Sequence, residues 1–215
     1  GLINGLLTTK ARIEAFIVTL GTMGIYRSLV TFMADGGTLS LSFTINDVYS
    51  SVYYGDFLGI SYPGWVFFSL AGMAYILMNK TIFGRHLFAV GSSEKVSLYS
   101  AIDTEKIKIL AFMIQGFCVS IATIIYVPRL GSASGQTGVL WELEAIAAVI
   151  IGGTALKGGY GRVWGTVAGA LILTLIGNIL NLTDMVSNYL NGAVQGLIII
   201  AAVVIQQKNG EQVKS

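Results

Sequence analysis

The amino-acid sequence predicts an all-α fold: a polytopic transmembrane helix bundle of about six membrane segments, one of them short or re-entrant. Three observations carry that prediction. Hydrophobic residues fill 54% of the 215 positions and charged residues only 11%, against about 25% charged in an ordinary soluble domain. So few charges leave too little polar side chain to solvate a water-exposed surface, and the mean hydropathy is +0.73. The apolar residues are also gathered into runs close to the ~20 residues that a helix needs to cross a bilayer core. The 27 glycines agree, because glycine is commoner in membrane helices than in soluble ones.

The first run, Ile13–Met33, is long enough to span, with Glu14 near its start and Arg27 inside it. Ala34–Pro63 follows as a polar, acidic loop rich in aromatics: Tyr49, Tyr53, Tyr54, Phe57 and Tyr62. Two readings stay open for this loop, an interfacial aromatic belt with a short surface helix or a docking surface for a soluble partner. Gly59–Met78 is the second span; Pro63 falls in its first turn, where a missing N–H does no harm. In the long loop Asn79–Ile107, basic residues flank Glu94–Ile102, which suits a short helix lying along the membrane surface. Ile109–Val127, Val163–Leu182 and Met185–Ile205 are free of charge and of spanning length. Cys118, inside the first of these, reads as a small packing residue.

Ala145–Leu156 is different, with 12 residues that run into Gly152, Gly153, Gly158, Gly159 and Gly161. It is either a tilted short span reaching back to Trp141 or a re-entrant half-helix. Irregular backbone at membrane depth survives only where protein or a water-filled path surrounds it. The chain opens at Gly1 in an already apolar stretch, with no signal peptide visible. The expected organisation is a single transmembrane domain over 1–215, N-terminally incomplete.

Basic residues orient the spans, because cytoplasmic loops carry an excess of lysine and arginine. Starting from the cytoplasmic side places Lys10, Arg12, Lys80, Arg85, Lys95, Lys106, Lys108, Lys157, Arg162, Lys208 and Lys214 inside. That is 11 of the 13 basic residues, the exceptions being Arg27 in a span and Arg129 outside. The opposite loops hold Asp35, Asp47, Asp56, Glu142, Glu144 and Asp184. The C-terminus is therefore expected to be cytoplasmic.

Little in the sequence supports an enzyme. His86 is the one histidine, so no histidine triad or histidine metal cluster can be assembled. No G-x-x-x-x-G-K-[ST] motif is present, so ATP is not expected to bind here through a P-loop. The run Gly158-Gly159-Tyr160-Gly161 follows no strand, and reads as tight packing or a membrane hairpin rather than a phosphate cradle. No cofactor and no metal are expected in this chain, and a net charge of +2 is too small to suggest nucleic acid.

Glycine spacing points to close helix packing. Gly161, Gly165 and Gly169 recur every four residues, as do Gly192 and Gly196, and such faces let backbones approach in lipid. Arg27, Gln115, Asn178, Asn181, Asn188, Asn191 and Gln195 lie in or beside the spans. Polar groups there are costly against lipid and should face a bundle interior or an aqueous path. Neutral amides suit a neutral hydroxylated solute, and equally suit interhelical hydrogen bonds. The spans hold no mid-membrane carboxylate of the kind that proton-coupled carriers use.

Specific stretches then resemble a known family. The run from Trp141 to Ala170, WELEAIAAVIIGGTALKGGYGRVWGTVAGA, is similar to the signature of ribose-type ABC permeases, the membrane subunits of monosaccharide importers. Gly84-Arg-His-Leu-Phe-Ala-Val-Gly91 followed by Ser93-Glu-Lys-Val-Ser-Leu-Tyr-Ser-Ala-Ile102 resembles that family's ATPase-contacting loop, and Phe16–Arg27 is similar as well. The likeness runs in order through essentially the whole chain and implies a type II importer permease fold. It departs at Lys95 and Val96, where small alanines are usual, and at Ala101, where glycine is usual.

The resemblance implies several partners: cytoplasmic ATPase subunits, an extracytoplasmic sugar-binding protein, a second permease subunit and the lipid bilayer of a prokaryotic inner membrane. It implies that Glu94, Lys95, Val96, Leu98, Tyr99 and Ile102 form the ATPase-coupling element. Leu98 and Ile102 are expected on one helix face, one turn apart. The loops Ala34–Pro63 and Gly131–Glu142 are the implied contacts for the binding protein. Permeases for branched-chain amino acids or nucleosides share this architecture, and a non-transporting membrane scaffold is the reading from another class.

Overall fold

The computed structural model describes residues 1–40 and 43–183, together with 196, 197 and 200. The expected span Met185–Ile205, with Asn188, Asn191, Gly192 and Gln195, falls outside the described residues apart from those three positions. Asp184, Lys208 and Lys214 lie outside them too, and at Asp47 and Asn181 the backbone alone is described.

Nine helices and four very short strands make up the described residues. Helix α1 (Leu2–Thr9) packs against α7 (Thr104–Leu130), close enough that a Cβ at Gly5 would sit 3.0 Å from the Ile109 Cα. By sequence, this stretch is simply an apolar opening to the chain. It is a separate helix because the chain turns at Lys10–Glu14, with Arg12 in the left-handed region at φ 53°. Helix α2 (Ala15–Met33) then begins with Glu14 as its N-cap residue, close to the expected start.

Strand β1 (Thr38–Ser40), α3 (Phe43–Tyr54), β2 (Asp56–Phe57) and β3 (Ile60–Ser61) fill the expected Ala34–Pro63 loop. The anticipated short helix is α3, which packs on α7 and α4 (Tyr62–Lys80). Pro63 lies in the first turn of α4 as expected. At Thr81 the chain bends by 73° into α5 (Ile82–Ser92). Thr81 caps that bend: its Oγ1 donates to the Leu77 carbonyl at 2.5 Å and accepts from the Gly84 N–H at 3.2 Å. Helix α6 (Glu94–Tyr99) precedes α7, whose N-cap Asp103 accepts from the Lys106 N–H at 3.1 Å.

After α7 come strand β4 (Ser132–Ser134), α8 (Trp141–Ile151) and α9 (Val163–Thr183). Strands β1 and β4 pair antiparallel, Thr38 opposite Ser134 and Ser40 opposite Ser132. By length and composition α2 and α7 can each cross a membrane, and the bent pair α4–α5 makes a third span if counted as one. The stretch Val163–Ile179 is a shorter apolar helix by the same measure.

The contacts sort the loops into two ends. At one, Lys10 bridges Glu105 at 2.7 Å, Glu94 bridges Lys108 at 2.6 Å, and Gly158 and Gly159 lie against Gly91 and Ser92. This is the basic end. At the other, β1 pairs with β4, the Arg129 guanidinium lies 5.9 Å from the Tyr53 ring and 5.7 Å from that of Tyr126, and Trp141 meets Tyr126 edge-on at 4.8 Å. Asp35, Asp56, Glu142 and Glu144 belong to this acidic end. Arg129, the one basic residue expected there, is held over two aromatic faces, an arrangement that attracts a cation through the ring quadrupole.

These contacts decide how the short segment runs. It starts at Trp141 beside the end of α7 and continues, after α8, to Gly158 at the basic end. The segment therefore passes from one end of the bundle to the other and does not turn back. Its helix is Trp141–Ile151 rather than Ala145–Leu156. Eleven residues cover about 16 Å at 1.5 Å each, and irregular chain makes up the remaining length. That chain satisfies its backbone locally, with Thr154 N–H bonding the Val149 carbonyl and Ala155 N–H the Tyr160 carbonyl.

Helices α8 and α9 pack through glycine, as the spacing predicts. A Cβ at Gly165 would run into the Gly152 carbonyl, and one at Gly169 into that of Ala148. Gly161 does not belong to this face. Helix α9 starts only at Val163, so Gly161 sits in the preceding turn, against Thr154 and Phe88. Gly192 lies outside the described residues, so the second glycine pattern is not tested by the contacts.

Candidate functional site

The expected coupling element is built from α5, a single joint residue and α6. Ser93 ends one helix and starts the next: its N–H bonds the Ala89 carbonyl, and its Oγ accepts from the Val96 N–H at 3.4 Å. Side-chain caps of this kind satisfy the orphan donors of a helix start. Ser97, 3% exposed, donates back to the Ser93 carbonyl at 2.9 Å and anchors the buried side of the helix. The other side is open: Val96 is 62% exposed, Leu98 56% and Tyr99 91%. Apolar groups left this accessible outside a spanning helix suit a partner groove.

The helix ends at Tyr99, which corrects the expectation that Leu98 and Ile102 share its face. The chain closes in a Schellman turn, with Ile102 N–H on the Ser97 carbonyl and Ala101 N–H on that of Leu98, both at 3.0 Å. Ile102 is thereby turned inward and half-buried. Ala101 occupies the left-handed position of that turn, at φ 58°. That conformation crowds any Cβ and explains why glycine suits this position. Ala101→Gly is expected to stabilise the turn by about 1 kcal/mol, roughly fivefold slower hydrogen exchange at the Ile102 amide. Faster exchange in the variant would show that the alanine is unstrained.

Ion pairs hold this end together without much energy, since all are partly solvated. Glu94 Oε1 accepts from Lys108 Nζ and so ties the first turn of α6 to α7. Lys10 Nζ donates to Glu105, and that hydrogen bond raises the Lys10 ammonium above the ordinary lysine value. Asp103 lies below the ordinary carboxylate value because the Lys106 side chain donates to it. The Glu94–Lys108 pair was missed in the sequence. Its spacing of 14 residues crosses the turn between α6 and α7, so no helical periodicity announces it.

Arg27 lines an open groove with Ser28, Thr31, Phe32, Asp35, Gly36 and Gln136. Thr31 Oγ1 donates to the Arg27 carbonyl at 2.9 Å, and a Cβ at Gly135 would sit 2.5 Å from that hydroxyl. Of the other expected path residues, Gln115 and Asn178 do not line this groove. Gln115 on α7 and Asn178 on α9 are exposed, on helices that also expose Phe117, Ile124 and Leu175. Within the described residues these two are left uncovered, because α7 packs on α1, α3 and α5 while α9 packs on α8 and α4. Among the described residues no group of three or more histidine, cysteine, aspartate or glutamate side chains could hold a metal ion. Cys118 is exposed rather than packed.

A helical chain with long apolar helices and a short, partly apolar helix offered at its basic end has the form of a membrane transport subunit. Residues 1–203 match the family described as branched-chain amino acid transport system / permease component, and the chain belongs to that family. It is similar to the ribose import permease protein of Haemophilus influenzae, 39% identical over 205 residues that make up 95% of this chain and 63% of that relative. The L-arabinose transport system permease protein of Escherichia coli is 34% identical over 95% of this chain and 61% of its own length. The autoinducer 2 import system permease protein of Photorhabdus luminescens is 35% identical over 95% of this chain and 60% of its own length. The resemblance to ribose-type permeases is thus borne out, and the chain spans less than two thirds of the length of these relatives. No solved structure matches it.

Proposed function

We infer that the chain is part of the membrane permease of an ATP-driven importer that moves a monosaccharide across the cytoplasmic membrane by alternating access. The observation that carries this reading is α6: a six-residue helix at the basic end with Val96, Leu98 and Tyr99 open to a partner. Its likeness to sugar permeases supports the solute class. In this reading 1–215 is one transmembrane domain of six segments, including the undescribed Met185–Ile205, with a cytoplasmic C-terminus. Two cytoplasmic ATPase subunits hydrolyse ATP, so this chain is not itself an enzyme and needs no cofactor. A second permease subunit pairs with it. A sugar-binding protein docks at the acidic end, where the β1–β4 ribbon joins the loops after α2 and α7.

Arg27, with Gln115, Asn178, Asn181, Asn191 and Gln195, remains the proposed path lining. The family description favours one second reading, a branched-chain amino acid as the solute. Uptake of labelled ribose against labelled leucine by vesicles holding the whole importer separates the two. Orientation has its own test. In a Cys118→Ser background, Lys95→Cys is expected to react with an impermeant maleimide only from the cytoplasmic face, and Asp56→Cys only from outside. The reverse pattern would overturn the proposed topology.

A further inference from the structure

The glycine turn between α8 and α9 lies against the joint that carries α6, and no side chain separates them. A Cβ at Gly158 would collide with the Gly91 carbonyl; one at Gly159 would come within 2.9 Å of the Ser92 Cβ and 3.0 Å of its Cα. A Cβ at Gly91 would in turn sit 3.0 Å from the Gly159 nitrogen. Three glycines thus bring two backbones into direct contact one and two residues ahead of Ser93, the N-cap of α6. Gly158 and Gly159 both hold the left-handed conformation, at φ 83° and 79°. The same turn leads directly into the Gly152, Gly165 and Gly169 contacts that lock α8 to α9. Helix α6 is thus tied to α7 by the Glu94–Lys108 ion pair, while the end of α5 that leads into it is tied to the α8–α9 turn by the backbone contact.

We propose that Gly91, Gly158 and Gly159 form a transmission contact through which displacement of α6 moves the α8–α9 pair. The physical reason is stiffness. Backbone against backbone has no rotamer to absorb a push, whereas the exposed Glu94–Lys108 pair can stretch or part at little cost. Gly91, Gly158 and Gly159 act as positioning residues, and the proposal rests on the reading of α6 as the ATPase contact.

The test uses the whole importer with its ATPase subunits in membrane vesicles. A cysteine replacing Leu156, 60% exposed beside the turn, reports on α8–α9 in a Cys118→Ser background. Its maleimide labelling rate is expected to change when ATP and vanadate are added. Gly91→Ala puts a methyl group against the turn, and its helical backbone accepts alanine readily. That variant is expected to retain its ATPase subunits and ATP hydrolysis while losing the ATP-dependent change at position 156. Gly72→Ala, which adds a methyl group into open space on α4, is expected to keep it.

An unaltered ATP response in Gly91→Ala overturns the transmission contact. Failure of the reading of α6 would look different: the ATPase subunits would stay bound when Leu98 is made charged, whatever happens at position 156.

Discussion

Leu98→Asp is expected to release the ATPase subunits and abolish uptake while the protein still inserts into the membrane. Leu98 is 56% exposed on a helix outside the spanning segments, so the folded chain loses little packing. A partner groove that receives it loses a buried leucine and gains an unpaired carboxylate. Truncation of a central interface residue costs about 3 kcal/mol, roughly a hundredfold in affinity, and the stranded charge adds to that. Co-purification of the ATPase subunits from detergent, scored against the amount of inserted permease, measures the effect. A helix that merely rested on the lipid surface would give a different result: Leu98→Asp would loosen that contact and leave the ATPase bound. Retained ATPase with retained uptake would remove the coupling assignment.

Gly165→Leu is expected to be the most destabilising single change in the described bundle. The added Cβ meets the Gly152 carbonyl, a backbone atom on the neighbouring helix that cannot rotate away. Overpacking usually costs 1–3 kcal/mol, and a contact with no flexible partner belongs at or above about 3 kcal/mol. Ala168→Leu on the exposed face of the same helix is the control, with an expected change within about 0.5 kcal/mol. Thermal unfolding of the purified protein in one detergent compares them. Equal loss of folded protein in both variants would show that close approach of α8 and α9 is not required.

Composition and period made much of the fold legible. Runs of apolar residues without charge can rest only in lipid or in a core, so Ile13–Met33, Gly59–Met78, Ile109–Val127 and Val163–Leu182 all fall on helices close to their expected bounds. The four-residue spacing of Gly165 and Gly169 likewise foretold a face that meets another backbone. Such features are local, because each residue's neighbours on a helix follow from its own sequence spacing. The likeness of residues 84–102 to an ATPase-contacting loop located α6 in the same way.

Contacts between distant residues were not legible. Nothing in the sequence pairs Thr38 with Ser134, Glu94 with Lys108, or Gly158 with Gly91. Each joins segments whose separation carries no period, so tertiary packing alone decides them. The same applies to the short segment at Trp141–Ile151: its length allowed either a crossing or a re-entrant hairpin, and only the contacts at its two ends show that it runs from one end of the bundle to the other. It applies to the polar residues too. The cost of burying an amide in lipid says that Gln115 and Asn178 want a partner but not which surface supplies one, and within the described helices both stay exposed. Sequence determined which residues form helices and which end of each is basic. Packing decided which helices touch, because close approach depends on two surfaces at once and the sequence lists them one at a time.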